Sequence, residues 1–249
     1  MSEPLTEKQK ERLRKYIFMG GFMDKSLSLY ACRYCDYRVK ALSDMPLQDV
    51  LWSDGVTHEE YPYSIFPELW YCPKCQRVYR TSKLTELDTI VVGTNINIPE
   101  ELMPWKDTPR LLEPQLQEYR KILRNQDFGY DVDLEMMVRR RMWQKLNNKY
   151  RPNPDKGEFR HAVTLTNEHR ELLNDLHPWL YEGNVTKALI KAEALRQLGR
   201  FELSLQLLDI IQNEHEPDRI EADWLKVLKA YNNARSTDLV VVGCWDIDY

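Results

Sequence analysis

Two cysteine pairs constrain this chain more than any other feature: Cys32 and Cys35 in Tyr30-Ala31-Cys32-Arg33-Tyr34-Cys35, and Cys72 and Cys75 in Trp70-Tyr71-Cys72-Pro73-Lys74-Cys75. Two thiolates three positions apart can hold one metal ion from a tight turn, and two such turns complete a tetrahedral four-sulfur site. The spacing predicts one Zn2+ on Cys32, Cys35, Cys72 and Cys75. Four protein ligands leave no open position for substrate or water, so the ion is expected to be structural rather than catalytic.

Residues 36–71 lie between the pairs, a longer interval than the roughly 15 to 20 residues of the compact four-cysteine pattern. An insertion is therefore built into the module. It carries Trp52, Tyr61, Tyr63, Phe66 and Trp70, with Pro46, Pro62 and Pro67 interrupting any long helix. These aromatics read as the core of the small module, packed on its strands, with an exposed docking surface as the alternative.

Around the cysteines the text is that of short strands: Leu27 to Tyr30, Tyr37 to Val39 and Val78-Tyr79, with Ile90-Val91-Val92 as a further β-branched run. Before them, Thr6 and Gln9 form a capping-box pattern and Leu13 and Ile17 an apolar stripe ending at Gly20-Gly21, which predicts a first helix. Pro99, Pro104 and Pro109 mark a linker. Beyond it, apolar residues at helical spacing predict helices from Pro114 to about Asn125, Asp133 to about Tyr150, Asn167 to Leu176, Asn184 to Leu198, Phe201 to Gln212 and Pro217 to Asn232. The fold class expected is α+β: residues 1–98 hold the first helix and the metal module, 99–112 the linker, 113–237 a helical domain, and 238–249 a C-terminal strand or tail. Leu239 to Val242 is too apolar and β-branched to be left in water, and Ile90 to Val92 is its expected partner.

The two knuckles resemble a zinc ribbon over about residues 28 to 82, which implies a rigid metal-stapled β module. Such knuckles commonly carry Gly after the second cysteine; Asp36 and Gln76 stand there, so a less regular hairpin is expected. Arg33, Arg38, Lys74 and Arg77 are placed to offset the two excess negative charges of four thiolates around Zn2+. A second resemblance covers one hairpin. Leu195 to Leu205, with Gly199 between helices, Phe201 two residues later, small residues at Ala192 and Ser204, and Pro217 near the repeat end, is similar to the turn of a tetratricopeptide repeat. No second copy follows at the same period.

Lys and Arg number 35 against 39 Asp and Glu, a formal net charge of -4, which argues against indiscriminate phosphate binding. The only dense basic run is Arg139-Arg140-Arg141 with Lys145, Lys149 and Arg151, which reads as a solvated helix face before it reads as a nucleic-acid contact. No apolar run of about 18 residues occurs, so no membrane span is expected. Five cysteines, four of them in CxxC pairs, fit a reducing, cytoplasmic compartment better than a disulfide framework. Cys244, the fifth, reads as a small apolar residue. No catalytic residues are assigned: His58 lacks the second histidine of a zincin, and His161, His169, His177 and His215 show no metal spacing. The expected function is that of a non-enzymatic adaptor with a protein partner. A nucleic-acid binder using Arg139 to Arg151 is the first alternative, and an enzyme whose site is assembled from scattered residues is the second.

Overall fold

The computed structural model describes residues 25–43, 48–56, 67–92, 108–126, 128, 131–152, 158, 160–176, 178 and 184–246. The expected helix from Thr6, and Tyr61, Tyr63 and Phe66 of the insertion, lie outside the described residues. In chain order the elements are β1 (Lys25–Ala31), β2 (Arg38–Ser43), β3 (Gln48–Trp52), β4 (Leu69–Tyr71), β5 (Val78–Arg80), β6 (Thr85–Val92), α1 (Leu116–Asn125), α2 (Val132–Asn147), β7 (Arg160–His161), α3 (Asn167–Leu176), α4 (Val185–Gln197), α5 (Phe201–Glu214), α6 (Arg219–Asn233) and β8 (Leu239–Asp246). The fold is α+β, with antiparallel sheets and, among the described residues, six α-helices. Contacts divide the chain into two compact units, residues 1–47 with 62–127, and residues 48–61 with 128–249.

The first unit is a ribbon. Antiparallel strands in the order β2-β1-β6 form one sheet, and β4 and β5 form a separate hairpin. The alternation of side chains along a strand puts Leu29 and Ala31 of β1, and Val39 and Ala41 of β2, into the interior. Ile90 to Val92 does not meet the tail as expected: Lys25, Ser26 and Leu27 of β1 face Val92, Val91 and Ile90. A run that already fills its neighbour's hydrogen-bonding edge has no need of the distant tail. On the other edge of the sheet, Lys40 N–H donates to Pro109 O at 2.9 Å and Leu111 N–H donates to Lys40 O at 2.7 Å. This short parallel addition buries Leu111 beside the cysteines. Helix α1 follows, capped by the Glu118 carboxylate accepting from Gln115 N–H at 2.7 Å, and it begins at Leu116, two residues later than the Pro114 start expected from the sequence.

The second unit gathers the remaining helices with a sheet in the order β3-β8-β7. The tail is its central strand. β8 pairs antiparallel with β3 from Gln48↔Asp246 to Trp52↔Val241, and with β7 at Arg160↔Val240 and His161↔Leu239. Leu239 and Val240 are fully buried, so the run that needed a partner has two, and neither is Ile90 to Val92. Trp52 is likewise not in the ribbon core. It packs with Val56 and Val241, and the Arg151 guanidinium lies 4.9 Å from its ring centroid.

Helices α4 and α5 pack on each other through Ala188, Ala192, Leu195 and Leu208, all buried, with Phe201 at the edge; Leu198 and Leu205 are only half-buried. Gly199 turns the chain between them at φ +75, and the N–H groups of Gly199 and Arg200 donate to Arg196 O and Leu195 O at 2.9 Å. Ser204 must be small here, since its hydroxyl donates to Ala192 O at 2.7 Å. Helix α6 adds Trp224, Leu225 and Leu228 to the same core. Helix α2 contributes Leu134, Val138, Met142 and Leu146 as its spacing predicts, with Met137 half-buried; it also buries Trp143 completely, from a position off that stripe.

Residues 53–56 enter this core with polar groups. The Asp54 carboxylate is held bidentately by Arg151, Oδ1 to Nη1 and Oδ2 to Nη2 both at 2.9 Å, and accepts from Asn147 Nδ2 at 3.0 Å. Its backbone carbonyl accepts from Gln144 Nε2 at 2.9 Å. Beside it the Glu193 carboxylate accepts from Ser53 Oγ at 2.8 Å, from Arg196 Nε and Nη2 at 2.7 Å, and from Gln197 Nε2 at 2.9 Å. Arg196 also donates to Ser236 O, and to Asp238 O at 2.6 Å, just ahead of β8. Each of these two buried carboxylates is paired with an arginine, as burial of a charge demands. Gly55, at φ +80, passes so close to α6 that a Cβ there would lie 3.0 Å from Trp224 Cη2. No helix among the described residues is long and apolar enough to cross a membrane.

Candidate metal centre

Each cysteine pair occupies the tip of a hairpin. The first lies between β1 and β2, beyond the pair Ala31↔Arg38, and the second between β4 and β5, beyond Tyr71↔Val78. The two tips are built alike. Cys32 N–H donates to Tyr37 O and Cys72 N–H to Arg77 O, both at 2.9 Å; Asp36 N–H returns to Cys32 O at 2.9 Å and Gln76 N–H to Cys72 O at 2.8 Å. Asp36 and Gln76 both adopt φ 56. The expectation of a less regular hairpin is therefore not met: residues with a Cβ take the left-handed position that glycine takes more easily, and the turn closes identically in both knuckles.

The two turns bring the four sulfurs within 4.8 Å of one another. Cys32 Sγ lies 3.7 Å from Cys75 Sγ, and Cys35 Sγ lies 3.6 Å from Cys72 Sγ. A tetrahedron with metal–sulfur bonds of about 2.3 Å has edges of about 3.8 Å. All four are free thiols, Cys32 and Cys72 buried, Cys35 and Cys75 half-buried. The donor set, its closeness and its edge lengths fit a four-sulfur metal ion.

Burial raises the Cys32 thiol, but the neighbouring Tyr79 hydroxyl and the backbone groups of Tyr34 and Cys35 outweigh it, and the pKa falls to about 7. Burial dominates at Cys72, pushed up to about 12, and it also pushes Cys75 up. The Tyr79 hydroxyl lies beside Cys32 without a hydrogen bond of good geometry, and burial and the Cys32 thiolate hold it protonated. Beneath the sulfurs Trp70 packs edge-on to Tyr79 at 5.4 Å between centroids and stacks on Tyr37 at 6.4 Å. Of Trp52 and Trp70, only Trp70 belongs to this core, together with Tyr37.

The basic residues of the knuckles stand on their outer side. Arg33 and Arg77 place their guanidinium carbons 5.2 Å and 4.5 Å from the centroid of the Tyr34 ring, and Lys74 Nζ reaches across to Cys35 O at 3.3 Å. Lys121 of α1, which the sequence did not single out, donates to Gln76 Oε1 at 2.7 Å. Only the folded chain brings it to the knuckle.

The other residues weighed from the sequence do not join this site. Arg151 and Arg141 are buried, Arg139 pairs with Glu135 at 2.7 Å and Asp175 at 2.8 Å, and the exposed Lys149 lies over the Tyr150 ring at 4.7 Å, so three arginines of the basic run are committed to the interior or to local ion pairs. His161 lies 3.5 Å from Glu158, and His215 caps the C-terminus of α5. His169 is buried, its Nδ1 2.8 Å from Thr166 Oγ1, and burial pushes its pKa down. His58 and His177 lie outside the described residues, as does the side chain of Cys244. The likenesses to a zinc ribbon and to a tetratricopeptide turn rest on this chain's own residues, for no protein-family model, no curated protein and no solved structure matches it.

Proposed function

We propose that the chain is a non-enzymatic interaction protein whose ribbon is stapled by one structural Zn2+ on Cys32, Cys35, Cys72 and Cys75. The observation that carries this is the four-sulfur cluster, with cross-knuckle edges of 3.6 and 3.7 Å. Four thiolates suit zinc among the common divalent ions, and when bound it cross-links the two hairpins that carry the cysteine pairs. A closed shell gives the ion a structural task. Surface chemistry supports a protein partner: α5 turns Leu203 (51% exposed) and Ile210 (40% exposed) outward with half-buried Leu207 between them, at helical spacing.

The alternative of a nucleic-acid contact through Arg139 to Arg151 draws less support, because two of its arginines are buried and a third is shared between two carboxylates. Elemental analysis of protein purified without chelator should find one zinc per chain. Absence of stoichiometric zinc would remove the metal reading. Affinity capture followed by cross-linking mass spectrometry tests the adaptor reading separately, which fails if no protein is cross-linked to the described surface.

A further inference from the structure

In the ribbon unit Arg33, Lys74 and Arg77 gather around Tyr34 and Cys35, Lys121 is bonded to Gln76 of the second knuckle, and none of the four is in an ion pair among the described residues. The arrangement is held in place. Arg77 comes from the second knuckle to lie over Tyr34 of the first, Lys74 bonds the carbonyl of Cys35, and Lys121 bonds Gln76. At the centre the Tyr34 ring is 49% exposed, braced edge-on against Tyr79 at 5.7 Å between centroids. Asp36, also exposed, is the one acidic residue within the two knuckles, residues 32–37 and 72–77.

A cation on a flexible stem loses rotamer freedom when it binds, and one already stacked or hydrogen-bonded has lost part of that freedom beforehand. Tyrosine and arginine are also the side chains most often responsible for binding energy at protein interfaces. Four loaded thiolates would carry two excess negative charges, which two of the cations offset; with Asp36 counted as well, one cation exceeds that need. Guanidinium forks match carboxylates in bidentate pairs.

From these observations we infer that the knuckle face around Tyr34 is a docking site for an acidic peptide segment of a protein partner, its carboxylates taken by Arg33, Arg77, Lys74 and Lys121 and an apolar side chain resting on Tyr34. This rests on the protein-interaction reading and names the chemistry of the partner. The net charge of -4 and the small number of cations here favour a short acidic segment over a long polyanion, whose binding gathers many phosphate contacts.

The test uses the full-length, zinc-loaded protein on an array of 12-residue peptides rich in Asp, Glu, Leu and Tyr, with a matched set in which Lys replaces each acid, and labelled oligo(U) of 20 nucleotides in parallel solution measurements. The acidic set should be retained at least tenfold more than the basic set, and the preference should weaken between 50 and 300 mM salt. R33E/R77E should abolish it, Tyr34→Ala should reduce it about tenfold, and Glu202→Gln, in the helical unit, should leave it unchanged. Circular dichroism and zinc content of each variant separate lost binding from lost folding, and Arg77→Gln serves if the double variant does not fold. Equal retention of both sets, or a preference that survives in folded R33E/R77E or R77Q, overturns the inference. Tighter binding of oligo(U) than of any acidic peptide overturns it in favour of a nucleic-acid surface. Cellular proteins captured equally by the parent and R33E/R77E would remove this site while leaving the interaction reading standing.

Discussion

In the ribbon unit Arg33, Lys74, Arg77 and Lys121 form no ion pair among the described residues, whereas in the helical unit Arg139, Arg151 and Arg196 each grip at least one carboxylate. The contrast extends inward. Beneath the ribbon's cations lie four sulfurs and a few aromatics, because two short sheets enclose little apolar volume and small modules depend on a cross-link. The helical unit has a core spanning α2 to α6, and it can bury two ion pairs, Asp54 with Arg151 and Glu193 with Arg196, without solvent. Buried pairs of this kind add little net stability over apolar side chains of the same shape, yet losing one partner is costly. Their geometry fixes where residues 53–56 enter among the helices.

The largest effect should come from the metal set. Cys72→Ser removes a buried member of the four-sulfur cluster; on the proposed metal reading, where metal binding is folding free energy in small modules, the ribbon should lose its structure. Hydrogen exchange should then show β1, β4 and β5 unprotected while α4, α5 and α6 keep their protection. Equal loss in both units would break the comparison, since it would make the sulfur cluster a support for the whole chain.

Next comes the buried pair. Arg151→Ala leaves the Asp54 carboxylate, fully buried, without its bidentate partner, and should destabilise the helical unit by about 3–5 kcal/mol in urea titration. The double variant Asp54→Leu, Arg151→Met should recover a large part of that loss. If the single change costs less than about 1 kcal/mol, water reaches the pair and the unit is not sealed in the way described.

How far these features could be read from the sequence follows from what each depends on. The four cysteines were legible because ligand chemistry demands one residue type at one spacing, and α3 and α5 because a 3.6-residue period survives tertiary packing. The role of residues 48–56 was not. Trp52 looks like any aromatic of an insertion between metal knuckles, and nothing local announces that Ser53 and Asp54 will meet Glu193 and Arg151 far along the chain. Arg151 misled for the same reason: in a basic run it reads as a surface charge, and only its partner's position makes it a core residue. The tail's need for a strand partner was visible in Leu239 to Val242, but two valine-rich runs carry no information about which edge is open, and Ile90 to Val92 was already taken by β1.

Two left-handed glycines of the helical unit, Gly55 and Gly199, separate strain from close approach. Gly55→Ala meets both, at φ +80 with Trp224 Cη2 3.0 Å away, and should cost about 2–4 kcal/mol from backbone strain and overpacking together. Gly199→Ala meets strain alone, since nothing lies within 4 Å of the added Cβ, and about 1–2 kcal/mol is expected. Thermal melts that rank Gly199→Ala as the more damaging would mean that the turn, not the entry of residues 53–56, is the sensitive point of this unit.

The smallest effect concerns the knuckles and runs in the opposite direction. Gln76 holds φ 56, a conformation that costs an ordinary side chain about 1–2 kcal/mol, while glycine adopts it freely but loses more chain entropy on folding, about 0.5–1 kcal/mol relative to alanine. Gln76→Gly should therefore stabilise the ribbon by a few tenths of a kcal/mol to about 1 kcal/mol, even after the exposed bond from Lys121 is lost. Asp36→Gly should gain less, because aspartate tolerates the left-handed region better than glutamine does. The readout is the resistance of the zinc-loaded ribbon to a competing chelator, compared at fixed pH for the parent and the two variants. A Gln76→Gly ribbon that gives up its metal more readily would show that the Lys121–Gln76 contact outweighs the backbone strain, and that the cation face and the metal cluster of this unit are mechanically joined rather than merely adjacent.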